Sequence, residues 1–176
     1  MTTTPYKTPP YLTDILKELV ETAGKWTRLW YGNDVYFKHG TIDEIALELK
    51  AMKEDPAQLN IRYPLVALFH DFDRNFGIED YSFQATVNMA IMTITDASYS
   101  SETRLTVNFK PILQPIQDAF MYSILESGYF MEVTEPQLKF TAPYIMRWGK
   151  ERLPDYDFVD AILIKNLTLT LKRDTQ

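Results

Sequence analysis

The chain has 176 residues, 45% of them apolar and 14% aromatic, with no cysteine and a formal charge of −6. That length supports one domain burying roughly two thirds of its unfolded surface, and the apolar content excludes intrinsic disorder. The missing cysteine excludes disulfides, thiolate metal clusters and a cysteine nucleophile, and the 18 Lys and Arg, scattered singly except for Lys172-Arg173, give phosphate no cationic cluster.

The start, Met1-Thr2-Thr3-Thr4-Pro5, lacks the basic region and apolar run of a secretory signal, and no apolar run approaches the roughly 18 residues of a membrane span. The expectation is a soluble chain that is not exported by a signal peptide, without membrane or sequence-specific nucleic-acid binding. Residues 1–10, rich in Thr and carrying Pro5, Pro9 and Pro10, read as an extended arm, and 11–176 as a single domain.

Leu12, Ile15, Leu16, Leu19, Val20 and Ala23 form one stripe, which predicts a first helix from about Pro10 to Ala23 closed by Gly24. Trp30 to Phe37, with Gly32-Asn33-Asp34 at its turn, reads as a short aromatic hairpin. Thr41 and Glu44 have capping-box spacing, and the apolar positions Ile42, Ile45, Ala46, Leu49 and Met52 carry a second helix that ends before Asp55-Pro56. Pro64 to Phe72 is apolar on both phases through Phe69, as an interior strand covered on both faces requires.

Asp73 to Asp80 reads as a loop, followed by a strand from about Phe83 to Thr95. In that strand the apolar phase reverses at Met92, which predicts a bulge or a change of environment. After the polar stretch from Asp96 to Glu102, a helix is predicted from about Pro111 to Ser127, with Pro115 in its first turn or at a kink and Gly128 closing it. Strands at about Gln137 to Arg147 and Val159 to Lys172 complete the chain. The fold class is α+β: one domain, a mostly antiparallel sheet, and about three helices packed on one face.

Chemistry-bearing motifs are sparse. His70, Asp71 and Asp73 could contribute to a metal-dependent hydrolase, but His39 is the only other histidine, and Asp71 to Glu79 departs from a calcium loop in its late glycine and in Ser82 at the twelfth position. The acid pairs Glu132/Glu135 and Asp155/Asp157 read as wet-face residues. No nucleophile elbow, phosphate loop or dinucleotide fingerprint occurs. The expectation is therefore a non-enzyme without cofactor or metal. The aromatics Trp30, Tyr31, Tyr36, Phe37, Tyr99, Tyr144 and Trp148 are the candidate interface residues.

The segments Tyr63 to Phe72, Thr95 to Arg104, Phe109-Lys110-Pro111-Ile112-Leu113-Gln114-Pro115-Ile116 and Tyr144 to Gly149 together resemble a family encoded among virion genes of tailed bacteriophages and prophages. The element order is similar to that of small α+β tail terminator and head–tail neck proteins. The Trp30–Phe37 hairpin and the proline-rich start are longer than a minimal terminator needs. The resemblance implies a structural homo-oligomer, a ring of the hexameric kind, that contacts tail-tube or neck proteins. It also implies a location in the virion, or in the bacterial host cytoplasm during assembly. Asp73, Glu79, Asp80 and Asp96 would then face a DNA passage without gripping it. A host-factor-binding module is the other non-catalytic reading, since it would share an acidic, aromatic surface.

Overall fold

The computed structural model describes residues 11–31, 34–69, 73–76, 83–134, 136–140 and 157–171. The predicted arm at 1–10 lies outside them. Helix α1 (Leu12–Tyr31) continues well past the stop predicted at Ala23. Gly24 is an interior helical residue against which the following chain packs. A Cβ there would lie 3.2 Å from both the Cβ and the N of Val35, so the glycine serves a close approach rather than a helix end.

The predicted hairpin is replaced accordingly: Trp30 and Tyr31 close α1, and β1 (Tyr36–Gly40) pairs in parallel with β2 (Leu65–Phe69). Between them, α2 (Ile42–Glu54) starts on the expected capping box. The Glu44 N–H donates to Thr41 Oγ1 at 3.2 Å, and the Thr41 N–H donates to Glu44 Oε2 at 2.8 Å. Thr41→Ala removes the first of these bonds and should lower stability by about 1 kcal/mol in chemical denaturation. A change within error would show that the helix start is held by packing alone.

One sheet runs in the order β1-β2-β4-β7-β5. Its centre is the antiparallel pair β4 (Phe83–Ile94) and β7 (Val159–Leu171). On the free side of β4, β2 and then β3 (Asp73–Phe76) lie end to end, so Asp73–Phe76 is a strand rather than the predicted loop. On the free side of β7 lie β5 (Phe130–Val133), which the sequence pattern missed, and β6 (Gln137–Phe140). The remainder of the strand predicted to reach Arg147 lies outside the described residues. Among the described residues only β1 and β2 pair in parallel, so the sheet is mostly antiparallel, as expected of the α+β class.

The helices do not share one face. Val66, Leu68, Val87, Met89, Ile91, Ile162 and Ile164 pack under α1 and the later helical run. Alternate residues of the same strands, Leu65, Ala67, Ala90, Met92, Val159 and Ala161, pack on the opposite side with Ile45, Ala46, Leu49 and Met52 of α2. This correction follows from strand geometry: a run apolar on both phases needs cover on both faces. It also explains Met92, which belongs to the second core. The register shift between β4 and β7 lies elsewhere, at Val87/Met89, where Asn166 takes φ 55° and its N–H donates to Asn88 Oδ1 at 3.1 Å.

The later helical run begins at Ser101, earlier than predicted. Ser100 caps α3 (Ser101–Arg104), a π-helical segment covers Leu105–Leu113, and α4 (Gln114–Glu126) follows without a break. In an α-helix the ring of Pro111 would strike the carbonyl of Val107. The wider π turn moves closure to the residue five back, as in the bond from the Gln114 N–H to the Phe109 carbonyl, and so accommodates the proline inside the helix. Gly128, at φ 71°, then turns the chain into β5, which matches its predicted closing role.

Candidate interaction surface

Of the predicted interface aromatics, the structure describes the side chains of Tyr36, Phe37 and Tyr99. Tyr36 and Phe37 are adjacent on β1 and pack on opposite sides of the sheet, Tyr36 toward the α2 core and Phe37 toward the α1 core. Burial is the main cause that raises the Tyr36 pKa, with Asp34 adding to it. Tyr99 is exposed in the loop before α3. Trp30 and Tyr31 end α1, with side chains outside the described residues, as are Tyr144 and Trp148 altogether.

Of the acids and histidines singled out in the sequence, the structure describes His39, Asp73, Asp96, Glu132 and Asp157. His70, Asp71, Glu79, Asp80, Glu135 and Asp155 lie outside the described residues. Asp73 occupies the first position of β3, opposite Thr86, and an extended backbone through Phe76 does not wrap an ion as a calcium loop does. His39 lies on β1 rather than in a loop. Glu132 is exposed on β5. Asp157 is paired with Arg62, and with Lys53 at 3.2 Å, which makes it a tie between the approach to β2 and the approach to β7. The Asp96 carboxylate accepts from the Ser98 N–H and hydroxyl, which hold its pKa down. Among the described residues no three His, Cys, Asp or Glu side chains converge.

A buried polar network lies beneath the start of the π segment. Arg104 Nη1 is 3.4 Å from Asp160 Oδ1, and Asn108 Nδ2 donates to Asp160 Oδ2 at 2.7 Å. Arg104 also donates to the carbonyls of Tyr99 and Asp96. All three side chains are buried, Asp160 completely. The sequence analysis missed this network, although Arg104 and Asn108 are four apart and Asp160 interrupts the apolar run Val159 to Ile164. The network pins the helical run to β7.

Among the described residues an exposed apolar ridge lies across α1 and α4. Trp26 and Tyr122 meet with ring centroids 5.4 Å apart and planes tilted by 55°. Their exposures are 43% and 54%, and Leu125, one turn beyond Tyr122, is 64% exposed. Tyr129 donates its hydroxyl to Glu18 Oε2 at 2.9 Å, a bond that raises the Tyr129 pKa. Since Trp26 is matched with Tyr122 and Glu18 with Tyr129, the two helices run antiparallel. The sequence pattern passed over Tyr122 and Leu125 because helical spacing placed their neighbours, not them, in the core.

Neither a family model nor a curated protein matches the chain. No helix among the described residues is long and apolar enough to cross a membrane.

Proposed function

We propose that the chain is a non-catalytic assembly subunit of a phage virion or prophage, a tail terminator or head–tail joining protein that closes into a ring. The observation that carries this reading is the shape of the sheet margins. One margin is β1 and the other is the β5 and β6 row, and among the described residues no further strand pairs with either. Two dissimilar margins on one sheet are what a head-to-tail interface requires, because such contacts join different surfaces of neighbouring copies and close when the rotation permits. Charged side chains that are buried, Arg62, Arg104, Asp157 and Asp160, serve structural pairs rather than an open cleft. The resemblance to tail terminator and neck proteins supplies the biological setting as analogy.

Light scattering and negative-stain microscopy of the purified chain, alone and with tail-tube subunits from the same gene neighbourhood, test this. The expected result is a closed ring, or ring formation on the tube end. A monomer from micromolar to millimolar concentration that also ignores the tube would overturn the proposal.

A further inference from the structure

We infer that the helical run from Ser101 to Leu113 is a two-state register latch. Its π geometry, enforced by Pro111 and Pro115, holds Arg104 and Asn108 on Asp160, and a slip to α geometry turns both side chains away. The inference concerns conformation and does not depend on the virion role.

The burial pattern carries it. Through the π segment the buried positions are Arg104, then Asn108 and Phe109, then Leu113, in steps of four and five residues. Leu105, Thr106, Val107 and Lys110 between them are exposed. In α4 the buried positions Ile116, Phe120, Ser123 and Ile124 return to steps of three and four. A turn closed on the residue five back holds roughly 4.4 residues, against about 3.6 for an α turn. Over the nine π residues that difference rotates Arg104 by roughly 160° from the direction it would take if α4 continued back unchanged, and it rotates Asn108 by roughly 90°. In the α register Arg104 therefore lies on the side of the helix opposite Leu113, and neither it nor Asn108 reaches β7. Phe109, four residues from Leu113, stays on the inner face in either register.

Two prolines oppose the slip. An α turn would set the ring of Pro111 against the carbonyl of Val107, and the ring of Pro115, in the first turn of α4, against the carbonyl of Pro111. The contacts of Arg104 and Asn108 with Asp160, at 3.4 and 2.7 Å, oppose it as well. A partner that engaged the outward Arg104 would select the other register, so the segment is a two-state element rather than a fixed strut.

The chain has no cysteine, so a single introduced thiol reports its own exposure. Asn108→Cys should react slowly with a maleimide while both prolines are present. It should react on the order of 100-fold faster once Pro111→Ala and Pro115→Ala are added, which removes the penalty that proline imposes inside an α-helix. Phe109→Cys should react at the same slow rate in both backgrounds, and hydrogen exchange should show the amides of 105–113 still protected without the prolines. Melting curves confirm that each variant is folded; where Phe109→Cys is not, hydrogen exchange makes the distinction alone. Equal rates for Asn108→Cys with and without the prolines overturn the inference. So does faster reaction of both thiols, or loss of amide protection, since either marks local unfolding rather than a change of register.

Discussion

Arg104→Ala should lower the unfolding free energy by about 3–5 kcal/mol, because it leaves the Asp160 carboxylate buried with Asn108 as its remaining polar partner. The Tyr99 and Asp96 carbonyls lose their donor at the same time. Asp160→Ala should cost a comparable amount by stranding the guanidinium. Replacing both partners by apolar groups of similar volume, Arg104→Met with Asp160→Leu, removes the desolvation cost from both sides and should recover much of the loss. Urea titrations of the four proteins give the coupling directly. Single substitutions that each cost less than about 1 kcal/mol would show that water reaches the carboxylate, and the network would then not be a buried tie. The large expected effect reflects position: the pair sits where a helix of mixed π and α geometry first touches the longest strand.

What the sequence made legible was local. The capping box at Thr41 and Glu44, the end of α2 before Asp55-Pro56, the apolar run at Leu65, the glycine turn at Gly128 and the alternation in β7 each depend on neighbours within a few residues. The failures depended on distant ones. Gly24 carries the signal of a helix end, and only the arrival of Val35 shows that a side chain there would collide with backbone. The parallel pairing of β1 with β2 replaces a hairpin because α2 intervenes and carries the chain across to the opposite face. Proline at 111 and 115 marks a boundary by the usual rule, whereas a π segment absorbs the first inside the helix. Of the candidate surface, the sequence favoured aromatics that lie close together in the chain. The ridge instead joins Trp26 to Tyr122, which only the antiparallel packing of α1 on α4 brings into contact.

Phe120→Ala should cost about 3–5 kcal/mol, and Phe69→Ala distinctly less, although Phe69 lies in the run that the sequence marks as most central. Phe120 is fully buried in the cluster formed by α1, the π–α4 run and the sheet. Phe69 ends β2 and is only partly buried against the α2 core. The cost of a large-to-small change depends on whether the surroundings collapse into the void, and around Phe120 they have little freedom to do so. The helix is fixed ahead of it by the Arg104–Asp160 tie and behind it by the turn at Gly128. Phe120→Leu, which keeps most of the volume, should cost less than about 1.5 kcal/mol. Denaturant midpoints with unchanged m-values would establish the order Phe120→Ala, then Phe69→Ala. If Phe69→Ala proved the more damaging, the α2 side of the sheet would be the better-packed core, and the fixed helix would not be what makes the α1 side rigid.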